Sequence, residues 1–413
     1  MRRGMGARGD VDEWLVDVSE ANLRIGLVYD DTIDRFGGIG LYVVTLAAVL
    51  RRRGHHVELL LGSSRATEAG GARVHSLARN VRVRFNGNEL SMPAWSHGRR
   101  LDRALREGAF DVLHVQVPYS PLMAGRLLTR ADPRCAVVGT YHVASERLLP
   151  RSGARLLRIL KLRSAPRFDA TVSVSHAAAR FAAQWSRFHV DRVVPNMLDL
   201  GRVRATAEAP SPLEADIVFV GRLVPRKGVE QLINAVATLT RQLGHDRTQV
   251  AIIGDGPLRG RLERQVERLG IRRSVTFHGA LDDAAKLPAL AHARIGCFPS
   301  LYGESFGLVV LEALAAGADV VIAGDNAGYA ELLNGAGGLV DPRNPEAFAS
   351  QLRHFLGNAA LRRGVGDRQR EQLPRFDADQ VVDAVLDVYA AALRGRAGRS
   401  LAESQGEAAV VAA

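Results

Sequence analysis

Short apolar runs alternate along the chain with segments whose apolar residues recur at helical spacing. The apolar runs lie at 23–28, 57–61, 112–117, 136–141 and 170–175, and then at 216–221, 249–254, 274–279, 293–298 and 319–324. Nearly continuous apolar runs separated by helices are typical of parallel strands buried on both faces. The pattern therefore predicts an α/β protein with parallel sheets.

The chain has 413 residues, more than a single hydrophobic core usually covers, so two domains are expected. Polar, proline-bearing residues interrupt the alternation midway and predict a linker. We expect two Rossmann-like, doubly wound domains that face each other across a cleft. The expected divisions are a flexible N-terminus at 1–21, an N-terminal domain at 22–200, the linker at 201–215, a C-terminal domain at 216–377, a helix at 378–395 packing back toward the N-terminal domain, and a flexible tail at 396–413.

The net charge is +11, and only three of the 55 basic residues are lysines, namely Lys161, Lys227 and Lys286. An arginine-rich composition accounts for this as well as an anionic partner does, whether membrane surface, phosphorylated ligand or nucleic acid. Cys135 and Cys297 lie in separate apolar segments and are expected to be small buried residues in a reducing compartment. The first twenty residues lack the apolar core of a secretion signal, and no uncharged stretch is long enough to predict a spanning helix.

Two of the predicted strands are followed by segments suited to phosphate, at the edge where open parallel sheets bind ligands. GRLVPRKG (221–228) places Arg222 and Lys227 before a helix, where free N–H groups and the helix dipole add to the side-chain charges. This segment suits a diphosphate, although a solvated basic loop is the alternative. Gly37 and Gly38 open the first helix and would let a substrate touch the backbone there, unless they form a simple flexible turn.

Two further strand ends carry candidate groups. IIGDGP (252–257) places Gly254 in a tight turn, but it lacks the third glycine of a dinucleotide fingerprint, which argues against a nicotinamide-dependent dehydrogenase. His142 ends the strand at 136–141 and is either structural or able to donate a hydrogen bond or exchange a proton near neutral pH.

The segment YGESFGLVVLEALAAG (302–317) contains two glutamates eight positions apart. Ser305 is expected to cap a helix, with Glu304 just before it in a favourable position for the helix dipole. Glu312 falls in the middle of the apolar helix, where a buried carboxylate is costly unless a polar group meets it. The hydroxyls of a ribose would be such a partner.

Taken together in this order, these segments resemble the retaining glycosyltransferases of family 4, which have the GT-B fold and use nucleotide-sugar donors. The resemblance runs from about residue 23 to residue 394. The two glutamates with the Arg…Lys pair are a specific signal, whereas the Gly-Gly turn alone is weak. Within the family the chain looks most like the actinobacterial phosphatidylinositol mannosyltransferases, on FNGN (85–88) and EGAFDVLHVQVP (107–118) as well.

The resemblance implies a role for each matching position. Lys227 and Arg222 would hold the donor diphosphate, Glu312 the ribose and Glu304 the transferred sugar, with His142 beside that sugar. The implied catalytic residues are His142, Glu304, Arg222 and Lys227. The implied donor-binding residues are Gly37, Gly38, Arg222, Lys227, Gly254, Glu304, Ser305, Phe306, Gly307, Leu308 and Glu312.

The resemblance also implies a mechanism. Such enzymes keep the anomeric configuration, with front-face attack in which the departing phosphate oxygen takes the proton of the acceptor. No cofactor and no metal are expected, because the cations stabilise the leaving group. The sequence agrees in lacking a D-x-D signature at a strand end, since Asp282 and Asp283 are adjacent at a predicted helix start.

The N-terminal half would bind the acceptor. SHGRRLDRALREG (96–108) predicts a basic amphipathic helix that could lie on anionic lipid, or else an ordinary surface helix. Its membrane-contact residues would be Arg99, Arg100, Arg103 and Arg106. The acceptor-binding residues would be Asp31, Asp34, Asn86 and Arg147. Asp31 stands where the mannosyltransferases have an aromatic residue, and Asp319 stands where a proline is common, so the pattern is not matched throughout.

The leading hypothesis is a hexosyltransferase, moving mannose from GDP-mannose to a membrane lipid or polyol acceptor. It would be cytoplasmic and peripheral on the inner face of the cell membrane. A soluble sugar or glycoside acceptor with a UDP- or ADP-sugar is a second reading, and a nucleotide-sugar epimerase of the same fold is a third. A nucleic-acid binder ranks last, because no aromatic stacking platform or recognition motif is found.

Overall fold

The computed structural model describes residues 22–34, 37–85, 88–118, 122–143, 167–186, 190–243 and 248–411. Its strands are β1 (Arg24–Tyr29), β2 (His56–Leu61), β3 (Glu68–Ala69), β4 (Ala72–Ser76), β5 (Ala78–Phe85), β6 (Asn88–Ser96), β7 (Val112–Gln116), β8 (Ala136–Tyr141), β9 (Ala170–Ser173), β10 (Arg192–Val193), β11 (Ile217–Val220), β12 (Val250–Ile253), β13 (Val275–Gly279), β14 (Ile295–Phe298), β15 (Val320–Gly324) and β16 (Leu339–Val340).

Helices connect most of these strands. They are α1 (Gly38–Arg52), α2 (Gly98–Gly108), α3 (Met123–Leu128), α4 (His176–Ser186), α5 (Leu200–Ala207), α6 (Val229–Leu243), α7 (Arg259–Arg268), α8 (Asp283–Ala291), α9 (Leu308–Ala316), α10 (Ala327–Leu333), α11 (Pro345–Gly357), α12 (Ala359–Arg370) and α13 (Ala378–Val411). Short 3₁₀ turns lie at Pro225–Lys227 and Leu373–Phe376.

The strands form two large sheets, one in each half of the chain. The N-terminal sheet has the order β10-β9-β8-β7-β1-β2-β4-β3, and the C-terminal sheet has the order β13-β12-β11-β14-β15-β16. All pairings in them are parallel except that of β3 with β4. Each of the ten predicted strands is present within two residues of its expected bounds, which confirms the prediction of two Rossmann-like domains.

The last helix, α13, joins the two domains. It starts at the predicted residue, Ala378, and its apolar residues Val382 and Val385 enter the same buried cluster as the N-terminal strands. Tyr389 lies within hydrogen-bonding distance of His114 on β7, with the hydroxyl 2.7 Å from Nδ1. Helix α13 therefore packs against the N-terminal domain.

Three features differ from the sequence-based expectations. Helix α13 continues to Val411 instead of ending at 395, because the expected tail at 396–413 is rich in alanine and contains no proline. The segment taken as a linker, 201–215, is partly helical, since most of α5 lies within it. Strands β5 and β6 form an antiparallel hairpin that is absent from the predicted strands. A hairpin lying outside both large sheets has no continuous apolar run to reveal it.

Asp319, which the sequence left unexplained, has a structural partner. Its Oδ2 lies 2.8 Å from Nε of Arg362, whose side chain is 9% exposed. The same guanidinium donates to the carbonyl oxygen of Phe355 at 2.7 Å. Asp319 therefore supplies the charge that a nearly buried arginine requires, which a proline at this position could not do.

We expect Asp319→Ala to destabilise the protein by about 1.5–3 kcal/mol, because it removes a charged partner from a buried guanidinium. The matched control is Glu267→Ala, which breaks the exposed Arg272–Glu267 pair at 3.0 Å and should cost at most about 1 kcal/mol. Thermal and urea unfolding of the two variants check this. Equal losses would show that burial of Arg362 does not decide the effect.

Candidate active site

The loop before α9 carries a carboxylate clamped between two cations. Oε1 of Glu304 lies 2.6 Å from Nη1 of Arg226 and 2.8 Å from Nζ of Lys227. All three side chains are at most 16% exposed. Arg222 lies in the same basic segment just after β11 and is exposed. These three cations and one carboxylate leave two positive charges in excess at the carboxyl end of β11.

Close backbone approach explains the glycines of this region. The chain reaches α9 through Gly307, which has φ 110° and is the residue before the first helical turn. A Cβ at Gly228 would lie 1.8 Å from the carbonyl oxygen of Pro299, and one at Gly254 would lie 1.9 Å from that of Gly221. Only glycine fits at these positions, so the strand ends of β11, β12 and β14 can approach one another.

The expectation that Ser305 caps α9 is wrong. The helix begins at Leu308, and its N-cap residue is Gly307, which has no side chain to offer. Ser305 contributes a backbone contact instead, since its carbonyl oxygen accepts a hydrogen bond from the Ser175 hydroxyl of the N-terminal domain. Gly307 occupies the N-cap position because the turn before α9 requires a positive φ, which is unfavourable for a serine.

Glu312, on α9, forms an ion pair with a lysine of the neighbouring helix α8. Its Oε2 lies 3.0 Å from Nζ of Lys286 on α8, and that ammonium also lies 2.9 Å from Oδ1 of Asp283. Arg202 on α5 pairs with Asp283 at 3.2 Å. Lys286 therefore offsets the charge of Glu312 within the protein, so a ribose is not needed to compensate the buried carboxylate. The Glu312 side chain keeps 12% exposure.

The two glutamates have pKa values shifted in opposite directions. Burial alone would raise the pKa of Glu304, but Lys227 and then Arg226 outweigh it and lower that pKa. Burial raises the pKa of Glu312, and the single ammonium of Lys286 only partly opposes the rise. Burial would lower the pKa of Lys286, but Glu312 and Asp283 raise it, so this lysine stays charged.

His142 lies at the carboxyl end of β8, as predicted, and is buried. Its Nε2 is 2.7 Å from Oε1 of Gln116, the last residue of β7. Its ring meets the edge of Tyr42 on α1 at a centroid distance of 4.9 Å. Burial lowers the pKa of His142 to about 3, with a smaller effect from His114. The suggestion of proton exchange near neutral pH is therefore wrong, and a neutral hydrogen-bonding role remains.

The two domains meet around the loop before α9 and the first turn of α1. A Cβ at Gly38 would lie 3.1 Å from Cδ1 of Leu308, so the start of α1 faces the start of α9 across the cleft. Glu331 on α10 accepts hydrogen bonds from the backbone nitrogen of His176, the first residue of α4, at 3.0 Å from each oxygen. Gly37 precedes α1 and is exposed.

The predicted acceptor residues are only partly described. Asp31 and Asp34 follow β1 as expected, and Asp34 accepts from the Ser64 hydroxyl at 2.5 Å and the Arg65 backbone nitrogen at 2.9 Å. Asp34 is thus engaged in holding its own loop. Asn86 and Arg147 lie outside the described residues. The predicted basic helix is present as α2, and its arginines Arg99, Arg100, Arg103 and Arg106 are all exposed.

Sequence reasoning missed three residues of this site. Arg226 and Lys286 neutralise the two glutamates, and Gln116 holds His142. Lys286 carried a signal, because it is one of three lysines in the chain. Arg226 lies within the motif already singled out. Gln116 carried none, since an amide at the end of a strand has no distinctive pattern.

Neither a metal cluster nor a spanning helix is found in the described part of the chain. No group of three or more histidine, cysteine, aspartate or glutamate side chains there could hold a metal ion. No helix among these residues is long and apolar enough to cross a membrane. Cys135 and Cys297 are free and buried, as expected.

Comparison with known proteins agrees with this architecture. The model for glycosyltransferase family 4 matches residues 36–202, and that for glycosyl transferases group 1 matches residues 207–372. The chain is 32% identical to the phosphatidyl-myo-inositol mannosyltransferase of Mycolicibacterium smegmatis, over 89% of this chain and 93% of the relative. It is 30% identical to the protein of that name from Propionibacterium freudenreichii, over 93% of this chain and 98% of the relative.

Solved structures share the fold at lower identity. The Anabaena HepE structure in complex with UDP superposes with a TM-score of 0.69 at 18% identity, covering 88% of this chain and 98% of that one. The structure of WaaG, a glycosyltransferase involved in lipopolysaccharide biosynthesis, gives a TM-score of 0.61 at 18% identity, covering 88% and 99%.

Two Rossmann-like domains with charged strand ends facing a shared cleft define a glycosyltransferase of the GT-B fold. The chain belongs to glycosyltransferase family 4, and it is related over most of its length to phosphatidyl-myo-inositol mannosyltransferases. The predicted fold, family and enzyme class are confirmed.

Lys286→Met should make stability depend on pH through Glu312. Without the ammonium, burial raises the pKa of Glu312 further, and an acid with a raised folded-state pKa loses stability as pH rises above its unfolded value. We expect the variant to lose thermal stability near neutral pH and to recover part of it toward about pH 5. Thermal unfolding across this range measures the effect.

The control is the double variant Lys286→Met with Glu312→Gln, in which position 312 no longer titrates while Asp283 stays as in the single variant. It should lose the additional pH dependence of the single variant. A loss in Lys286→Met that stays constant with pH would contradict the assignment of Lys286 as the neutralising partner.

Proposed function

We propose that this glycosyltransferase transfers a hexose to a membrane lipid or polyol acceptor with retention of the anomeric configuration. The proposed hexose is mannose, and its donor is GDP-mannose. The observation that carries the proposal is the buried Glu304, held by Arg226 and Lys227 beside the excess positive charge of the loop after β11. The identity to the named mannosyltransferases, 30–32%, supports the choice of sugar and of acceptor class.

The charges of this loop fit the leaving group. A nucleoside diphosphate gains negative charge as the glycosidic bond breaks, and fixed cations stabilise that charge without reorganising. Lys227 and Arg222 are the cations we assign to the diphosphate, and the start of α9 adds backbone N–H groups at Gly307 and Leu308. Glu312, at the inner face of α9, would accept hydrogen bonds from the ribose.

Retention follows if attack occurs on the face that the diphosphate leaves. The departing phosphate oxygen then takes the proton of the acceptor hydroxyl, so the protein needs no general base. His142 suits this scheme because it is neutral and can hydrogen-bond the transferred sugar without competing for the proton. Glu304, kept ionised by its two cations, would contact the hydroxyls of the same sugar.

A surface next to the basic helix supports the lipid acceptor. On hairpin β5–β6, Val81 pairs with Met92, and beyond a register shift Arg79 pairs with Trp95. Trp95 is 65% exposed, Val81 51% and Met92 38%. Helix α2 follows directly with its four exposed arginines. Aromatic and apolar side chains bordered by arginines suit the interface of an anionic bilayer.

Donor binding should stabilise the protein by about 2.7 kcal/mol when the ligand is present at 100 times its Kd. In a thermal-shift panel of GDP-, UDP- and ADP-sugars, we expect GDP-mannose to give the largest shift. Lys227→Ala and Glu312→Gln should weaken the binding about 10- to 100-fold, the cost of a lost charged hydrogen bond.

Arg272→Ala is the charge-matched control for Lys227→Ala, because the Arg272 side chain is 80% exposed and lies on the surface after α7. It should leave the donor shift unchanged. Unaltered donor binding in both site variants would refute the proposed donor site. A larger thermal shift with a UDP- or ADP-sugar would identify that sugar nucleotide as the donor instead of GDP-mannose.

Vesicles rich in anionic lipid should bind the protein at low salt and release it as salt screens the charges. Replacing Arg99, Arg100, Arg103 and Arg106 by serine should reduce co-sedimentation on the order of 100-fold or more, at about 1 kcal/mol for each charge. Replacing the exposed residues Arg261, Arg264, Arg268 and Arg272 changes the net charge equally and should have little effect.

Equal effects of the two sets of substitutions would show general charge attraction and favour a soluble acceptor. Product analysis with donor alone tests the remaining alternative, since an epimerase converts the nucleotide sugar without any acceptor.

A further inference from the structure

Gln116 is a buried amide whose hydrogen-bonding capacity is only partly used. It ends β7, stands opposite Thr140 of β8 in the parallel register, and is 1% exposed. Its Oε1 lies 2.7 Å from Nε2 of His142. Its Nε2 is buried and has no hydrogen-bond partner among the described residues. A buried polar group left in this state is uncommon and calls for a functional reason.

The backbone immediately after Gln116 is strained. Val117 has φ 58°, in the left-handed region that a β-branched residue rarely adopts. Its N–H donates to the carbonyl oxygen of Thr140 at 3.0 Å, so the neighbouring strand holds this conformation. Strain of this kind is unfavourable and clusters at functional sites. Here the strained residue, Val117, directly follows Gln116, the hydrogen-bond partner of His142.

The surroundings of His142 leave it without a charged neighbour among the described residues. The titratable groups that face it are Tyr42 on α1 and His114 on β7. Burial raises the pKa of Tyr42 and lowers that of His114 to about 3, so both are neutral near pH 7. Gln116 is thus the side chain that decides which nitrogen of the neutral imidazole carries the proton.

We infer that Gln116 is a positioning residue that fixes His142 as the Nε2–H tautomer, so that the imidazole meets the substrate as a hydrogen-bond acceptor through Nδ1. In this tautomer the Nε2–H donates to Oε1 of Gln116 over the 2.7 Å between the two atoms, and Nδ1 is left to accept a hydrogen bond. An acceptor nitrogen selects a hydroxyl that donates to it. The inference rests on the proposed sugar transfer for its substrate, but the tautomer is a property of the protein alone.

The tautomer can be measured directly in the full-length protein labelled with ¹⁵N-histidine. The imidazole nitrogens of His142 are assigned by their loss in His142→Asn. We expect the Nε2–H form in the wild type near neutral pH, and a mixture of tautomers in Gln116→Met, which keeps the shape of the side chain but cannot accept the bond. An Nδ1–H or imidazolium form in the wild type would overturn the inference.

Gln116→Glu separates positioning from a merely structural role. A carboxylate still accepts from Nε2–H, but it raises the pKa of His142 by favouring the imidazolium. Below that raised pKa, Nδ1 is protonated and can no longer accept a bond. With GDP-mannose and phosphatidylinositol vesicles as the probe, we expect activity of Gln116→Glu to fall as pH decreases, whereas the wild type shows no such acid limb.

Gln116→Met should lose on the order of 10- to 100-fold in kcat at every pH, because the imidazole is no longer held in one orientation. A merely structural role would lower the activity of both variants without adding an acid limb to the pH profile of Gln116→Glu. That outcome would overturn the inference. If the probe gives no turnover with the wild type, the sugar-transfer proposal fails, while the NMR measurement still decides the role of Gln116.

Discussion

The structure depends on how two nearly buried carboxylates are compensated, one just before helix α9 and one in the middle of it. Glu304 is held by two cations and remains ionised, whereas Glu312 is held by one and has a raised pKa. Removing a carboxylate from water is costly unless opposite charge and hydrogen bonds replace the solvent. The compensating groups come from the segment after β11 and from α8, so the pairing also fixes how these elements lie around α9.

The loop before α9 also contacts other parts of the molecule. The carbonyl of Ser305 accepts from Ser175 of the N-terminal domain, and the ring of Phe306 packs edge-on against Phe376, 5.4 Å between centroids. Phe376 lies where the chain crosses back, and its carbonyl accepts from the Leu198 backbone nitrogen at 3.0 Å. Residues beside the proposed sugar site therefore contact both the opposite domain and the crossing segments, which ties the geometry of the loop to the relative position of the domains.

Much of the fold could be predicted because buried parallel strands leave continuous apolar runs. The charged segments could also be located, since Arg222, Lys227, Glu304 and Glu312 lie in short segments with fixed spacing, and their role in donor binding stays a prediction. The β5–β6 hairpin could not, because its exposed face mixes Val81, Met92 and Trp95 with arginine and gives no clear period. The start of α9 was misplaced because the positive φ of Gly307 is a property of the turn and outweighs the capping preference of Ser305.

The sequence by itself determined the two α/β domains, the family and the identity of the charged residues at the strand ends. Tertiary structure decided their partners: Arg226 for Glu304, Lys286 for Glu312, Arg362 for Asp319 and Gln116 for His142. The reason is physical. The sequence gives residue type and local spacing directly. Burial and the approach of groups far apart in sequence set the pKa of a side chain and the hydrogen bonds it can make, and these depend on the fold.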